Sequence, residues 1–577
     1  MATGTGGEIV AAMLAAEGVD TVFGIVDGTY FGLVSSLERH GIRLVSPRHE
    51  TSALHMAGAY ARLTGRVGVA VASNGPGVAN ALPGVAVESG EGHRVLLVTS
   101  SRRSPITYPD RGGTFQYFDQ TAVTAPMTKW STTVPDRSRL PELVRRAFRT
   151  LWSGRPGVVH VDVAESILNG KGKLDPADIR PPHTYRRTAP LTTDPDTVER
   201  AAEMLRRAER PLIHAGTGVV HAQAFEPLRR VAETLGAPVT TSWGARGALP
   251  ETHPLSVPMV LLDTYRQLRT EADVVLVVGS RLGETDWWGK APYWAADQQV
   301  IQVDVDDHWL GVNKPLALGV LADAHVFLTA LAERLEAGPA FRRRPDTWSE
   351  SAAREEAKLE RRLDESRGDG VNPGRVARIC QETLPDDTIW VFDGGNSTVW
   401  AQTFHRARVP NALLATFKFG MLGAGVAQAL GAKVACPDRP VCCLIGDGAM
   451  GFHPQEVETA VRHDLAVVYV VFVDRQWGMV KMGQQFALRP VKTIVRKHLD
   501  PGETINTDFA ETDFADLAQA MGAHGERVST EEELASALKR AEAAGRPAVI
   551  HVDVDPVTHL WAPRLRAFKE MHAEPGG

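Results

Sequence analysis

Three times along the chain, a short run of β-branched residues ends in a glycine-bearing turn, passes into a helical pattern and returns as another apolar run. Residues 67–73 (VGVAVAS) meet the turn NGPG and a small-residue helix before 95–100 (VLLVTS). Residues 211–218 (PLIHAGTG) lead into AFEPLRRVAETLG and PVTTSW, with DVVLVVGS and QVIQVDV further on. Residues 441–448 (VCCLIGDG) precede QEVETAVRHD and the strand pattern 466–474 (AVVYVVFVD). Strands that alternate with helices in this way form parallel sheets, because a parallel neighbour can be reached only through a crossover. The expected fold class is therefore α/β, with three doubly wound parallel-sheet domains. Such sheets bind ligands beyond the carboxyl ends of their strands, which is where the glycine turns fall.

A chain of 577 residues is too long for one hydrophobic core. The polar, proline-bearing stretches 180–197 and 337–350 divide it into expected domains at 1–185, 190–350 and 365–577. Lys and Arg number 63 against 69 Asp and Glu, a net charge of −6, so no global basic field attracts nucleic acid or anionic lipid. The four cysteines show neither CxxC nor Cys/His ligand spacing. The opening segment lacks a basic n-region, and the longest apolar run, 466–473, is too short to span a bilayer. A cytoplasmic protein with no membrane or nucleic-acid partner is expected.

In IGDG (445–448) an Asp stands between two glycines at the end of a buried-type strand. Asp474 ends the next strand pattern, 27 positions on. Adjacent parallel strands would bring both carboxylates to one edge, an arrangement suited to Mg2+ bound to a diphosphate. The same residues also suit a plain tight turn and a solvated strand end.

With RHE (48–50), NGPG followed by Asn80, GTFQYFDQ (113–120), TKW (128–130) and RQWGMV (475–480), the sequence resembles the thiamine diphosphate enzymes. The similarity is greatest to the acetohydroxyacid (acetolactate) synthase and benzaldehyde lyase branch. The resemblance implies pyrimidine-binding, central and diphosphate-binding domains, in that order. It implies that Glu50 of one subunit hydrogen-bonds the cofactor's aminopyrimidine and promotes deprotonation at the thiazolium carbon, while the diphosphate lies on a neighbouring subunit. A homodimer or homotetramer follows. It also assigns Gly394, Asn396 and Ser397 to the diphosphate, Leu422, beyond Gly420, to the apolar wedge that bends the cofactor, and Asp447, Asp474 and the Gln476 carbonyl to the metal. Gly446, Gly448, Ala449, Gly478 and Met479 complete the cofactor-binding set. The same residues also suit plainer roles: a helix cap for Glu50, an N-cap for Ser397, core packing for Leu422.

The pattern departs from the family at Asp474, where Asn is usual, and at Ala449, where a hydroxyl is usual. On the substrate side, Gln116 matches a carboligase position facing reaction intermediates, though it also suits a surface loop. Asp27 replaces a usual glycine, either as a proton donor or acceptor near the reacting carbon or as a turn residue beside Gly28. Gly483 stands where acetohydroxyacid synthases carry a large Trp, and Arg281 keeps their central-domain arginine. FAD is left open but disfavoured, since 258–268 does not resemble the second flavin-binding element. Trp287 and Trp288 suit either a ligand site or packing. The basic stretch 489–503 reads as a lid or a solvated loop. The implied activity is ThDP- and Mg-dependent carboligation of a 2-oxo acid with a carbonyl acceptor. The alternatives are a 2-oxo acid decarboxylase or C–C lyase that releases an aldehyde, and a non-catalytic homologue.

Overall fold

The alternating apolar runs form three parallel sheets in the computed structural model, which describes residues 3–107, 112–339, 348–500 and 502–565. The chain divides into two units: residues 1–189 with 416–438 and 453–467, and residues 190–415 with 439–452 and 468–577.

The strands of the first unit are β1 (Thr3–Thr5), β2 (Thr21–Gly24), β3 (Arg43–Val45), β4 (Gly68–Ala72), β5 (Val95–Ser101), β6 (Trp130–Val134), β7 (Val158–Ala164) and β8 (Lys171–Lys173). Its sheet has the order β3-β2-β4-β5-β7-β6, all parallel, while β1 and β8 form a separate antiparallel pair. β4 is buried at every position and β7 likewise, as strands covered on both faces must be. The helix Glu50–Thr64 packs against Pro76–Glu91 and against Ala424–Ala435, which belongs to the same unit.

The second unit holds two sheets. In the central one, β9 (Pro211–Ala215), β10 (Val239–Thr241), β11 (Val274–Val278), β12 (Gln299–Asp304) and β13 (Leu318–Leu321) take the order β10-β9-β11-β12-β13. Alternate residues feed two cores: Ile213, Leu276 and Ile301 face one, Leu212, Val275 and Val300 the other. Each such side chain contributes about 1.5–3 kcal/mol on burial. Trp287 belongs to the second core and stacks on Tyr293 at 4.5 Å, so it serves packing.

The last sheet comprises β14 (Ile389–Asp393), β15 (Leu413–Leu414), β16 (Val441–Gly446), β17 (Val468–Val473), β18 (His524–Val528) and β19 (Ala548–Asp553), in the order β15-β14-β16-β17-β19-β18. This repeats the connectivity of the first sheet. In both, the order reverses between the first strand and the third, β2/β4 and β14/β16, and a crevice opens beyond the strand ends at such a switch point.

The stretch 489–503 is not a plain loop: it begins with a helix, Pro490–Arg496, whose Val491 and Val495 are each 74% exposed. Pro501 and positions 340–347 of the expected linker lie outside the described residues. No helix among the described residues is long and apolar enough to cross a membrane.

Candidate active site

At the β14/β16 switch point, β14 ends in Asp393 and the chain turns through Gly394, whose φ of +110° only glycine adopts readily, into the helix Asn396–Phe404. Asn396 and Ser397, at the start of that helix, are each 3% exposed. β16 delivers Gly446 and Asp447 to the same edge, and β17 delivers Asp474. Asp393, Asn396, Ser397, Asp447 and Asp474 are all buried, so Asp474 is no solvated strand end.

The Asp447 carboxylate is fixed from two sides, with Oδ1 accepting from Gly448 N at 2.7 Å and Oδ2 from Arg475 N at 2.7 Å. Arg475 has a left-handed φ of +57°. Asp474 Oδ1 accepts from Gln476 N at 3.3 Å, and Oδ2 from Gln476 Nε2 at 2.9 Å. Burial, and then the Asp474 carboxylate, push Asp447 up to about 7. A divalent cation between the two strand ends would remove the second penalty and offset part of the first.

Whether these residues fit a metal-diphosphate can be judged from their unmet valences. Asn396 Oδ1 and Thr398 Oγ1 are buried without a hydrogen-bond partner, at the end of a helix whose backbone N–H groups suit an anion. The Gln476 carbonyl accepts from Gly478 N at 2.9 Å and keeps a second lone pair. A Cβ on Gly478 would stand 2.8 Å from Asn396 Nδ2, so a larger residue there would displace that side chain. Ala449 is buried beside the Asp447 turn, and Met479 packs against the cluster of Met482, Leu560 and Leu565. The donor set is hard oxygen, as magnesium prefers. The residues fit.

In the first unit, Glu50 is the first residue of Glu50–Thr64 and is 9% exposed, with Oε2 accepting from Asn80 Nδ2 at 3.1 Å. The helix is capped by His49, whose Nδ1 accepts from Thr51 N, so Glu50 is not its N-cap. Asp27 Oδ1 accepts from Thr29 N at 2.8 Å and Thr29 Oγ1 at 2.6 Å, an Asx turn opening the short 3-10 helix Gly28–Tyr30. Tyr30 is raised by its burial and then by the Asp27 and Glu50 carboxylates.

A hydrogen-bonded chain joins Asp27 to Gln116. Thr29 Oγ1 lies 2.6 Å from Ser100 Oγ, Asn74 N donates to Ser100 Oγ at 2.9 Å, and Asn74 Nδ2 donates to the Gln116 carbonyl at 3.0 Å. Gln116 is exposed, with a left-handed φ of +52°. Gly420 (φ +66°) and half-buried Leu422 precede the helix Ala424–Ala435. Their loop is anchored by buried Glu91, whose Oε1 accepts from Lys418 N at 2.6 Å and Phe419 N at 3.1 Å.

Comparison with known proteins finds matches in all three sheet-bearing regions. Residues 4–123 match the thiamine pyrophosphate enzyme N-terminal TPP binding domain, 198–331 the central domain, and 393–552 the C-terminal TPP binding domain. The sulfoacetaldehyde acetyltransferase of Castellaniella defragrans is 30% identical over 567 residues, covering 93% of this chain and 90% of that protein. The chain belongs to the thiamine pyrophosphate enzyme family. The 2-hydroxyacyl-CoA lyase of Arabidopsis thaliana is 30% identical, with 97% of each chain covered. The probable acetolactate synthase large subunit of Methanocaldococcus jannaschii is 29% identical, covering 96% of this chain and 93% of that protein.

In this thiamine pyrophosphate enzyme the expected residues gather into two sets. Gly394, Asn396, Ser397, Gly446, Asp447, Gly448, Ala449, Asp474, Gln476, Gly478 and Met479 lie in the second unit. Asp27, Glu50, Gln116, Gly420 and Leu422 lie in the first. Two further residues escaped the sequence reading. Glu91 sits 327 positions from the loop it anchors. His559 places Nδ1 2.5 Å from Asp474 Oδ2. The Asp in place of the usual Asn was the available signal for the latter, because a buried carboxylate calls for an additional donor.

Proposed function

We propose that this enzyme is a Mg2+-dependent carboligase resembling acetolactate synthase, which decarboxylates a 2-oxo acid and transfers the acyl unit to a second carbonyl compound. The observation that carries the cofactor half of this reading is the buried Asp447/Asp474 pair at the switch point, beside the unpartnered Asn396 Oδ1. Bound thiamine diphosphate supplies the electron sink for breaking and forming bonds at a carbonyl carbon. Asp447, Asp474 and the Gln476 carbonyl hold the metal; Asn396, Ser397 and the turn at Gly394 hold the diphosphate.

Glu50, nearly buried and steadied by Asn80, holds a proton toward the aminopyrimidine. Leu422 is the wedge. Gln116 offers an amide to a developing alkoxide, and Asp27 exchanges a proton with substrate. The name of one relative, a probable acetolactate synthase, favours carboligation, and that of another, a sulfoacetaldehyde acetyltransferase, favours transfer of an acyl unit. The lyase relative supports the second reading, in which an aldehyde is released. The proposal includes a homodimer or homotetramer, which light scattering tests.

The purified protein, given Mg2+, thiamine diphosphate and a panel of 2-oxo acids, separates these readings by mass spectrometry. A coupled product that appears only with an acceptor supports carboligation. Free aldehyde regardless of acceptor replaces it with the lyase or decarboxylase reading. Failure to bind the cofactor with Mg2+ at any moderate pH points to a non-catalytic homologue.

A further inference from the structure

Asp474 puts a second carboxylate beside Asp447 where the family resemblance implies a neutral amide. An Asn side chain offers one oxygen acceptor and an amide donor, whereas an Asp offers two oxygens and no donor. His559 supplies what is missing. It lies in the helix Pro556–Leu560, which follows β19 and is capped by Asp555. The His559 and Asp474 side chains are 4% and 1% exposed, and Nδ1 stands 2.5 Å from Asp474 Oδ2.

Both the backbone and the ring of His559 are held. His559 N donates to Asp555 O at 2.9 Å, Trp400 Nε1 donates to the His559 carbonyl at 2.9 Å, and the ring stacks on Phe472 at 6.1 Å. The carboxylate on one ring nitrogen orients the imidazole, with the proton on Nδ1 assigned from that pairing. Nε2 lies 3.2 Å from Ser397 Oγ. A Ser-His-Asp chain elsewhere can activate a nucleophile, but Ser397 is 3% exposed and its Oγ lies against Gly446, closed to an acyl substrate.

We infer that His559 is a positioning residue that makes Asp474 behave as a one-oxygen ligand. Oδ2 receives both the His559 Nδ1–H and the Gln476 Nε2–H, while Oδ1 receives only a long bond from Gln476 N at 3.3 Å. These donors occupy Oδ2 and would leave Oδ1 to a cation, and the ring ties Asp474 to the Ser397 hydroxyl. The inference rests on the reading above that Asp474 faces the metal.

The test is the Mg2+ dissociation constant of the full-length protein, measured by calorimetry with thiamine diphosphate and again with inorganic pyrophosphate. His559→Gln, whose amide reaches toward Nε2 but not Nδ1, weakens Mg2+ about 10- to 100-fold, as losing a ligand's outer partner does. His559→Asn, whose amide nitrogen stands near Nδ1, restores most of that affinity. In the Asp474→Asn background, His559→Gln changes the constant by no more than about threefold.

Unchanged Mg2+ binding in His559→Gln overturns the proposal, and so does an equal loss in both backgrounds, which would mark His559 as a general support. Should His559→Gln fail to fold, the comparison of His559→Asn with the parent decides: near-parental binding sustains the proposal and a large loss overturns it. The underlying metal reading fails separately, if Asp447→Asn and Asp474→Ala both bind Mg2+ as the parent does.

Discussion

Protons and Mg2+ should compete for Asp447 over a range where most carboxylates are already ionised. Its carboxyl is pushed from 3.8 up to about 7, first by burial and then by Asp474. A raised acid means that the free protein carries this proton up to about pH 7, while the cation requires the carboxylate. Affinity for Mg2+ is therefore flat above pH 7 and weakens as pH falls, about twofold at pH 7, about tenfold at pH 6 and about a hundredfold at pH 5. Folding has the opposite sign. The metal-free protein gains stability as pH drops through 7, because its folded state binds the proton more tightly than the unfolded chain, by about 4 kcal/mol at most. Calorimetric titration at pH 8, 7 and 6, in two buffers of different ionisation enthalpy, measures both the constant and the proton released. A protein-free titration of the diphosphate serves as the blank, and Asp447→Asn should abolish the pH-dependent component. Equal dissociation constants at pH 8 and 6, or heats independent of buffer, would refute the reasoning.

Glu50→Gln keeps the side chain's shape and its contact with Asn80 but loses the carboxylate. Hydrogen–deuterium exchange at the thiazolium carbon, followed by NMR, should slow by about 10²- to 10⁴-fold with cofactor binding retained. Glu91→Ala leaves the N–H groups of Lys418 and Phe419 without their acceptor. It should cost about 1–3 kcal/mol in denaturant unfolding and lower amide-exchange protection in the Gly420–Leu422 loop. Asp27→Asn preserves the Asx turn, so stability should hold while turnover falls by about 10²-fold; unchanged turnover would remove Asp27 from the catalytic set.

Much of the frame is local and could be read along the chain. The apolar runs that became β4, β16 and β17 are buried at every position, and a fully covered strand must be apolar throughout. The NGPG and GDG turns fall at strand ends for the same local reason. β3 (RLV) and β6 (WSTTV) escaped because one is very short and the other polar. The helix Pro490–Arg496 was hidden by the basic residues around it.

What no local pattern carries is which distant side chain reaches a buried carboxylate. The spacing of Asp447 and Asp474 already suggests neighbouring strand ends, whereas only the last crossover returns His559, 85 positions on, to Asp474. Likewise Glu91 finds a loop 327 positions away. Residue types and their spacing determined the three α/β sheets and the oxygen-rich turns, because those depend on neighbours in the chain. The tertiary structure alone decided the partners of the buried charges, because desolvation makes a charge depend on whatever the fold packs around it.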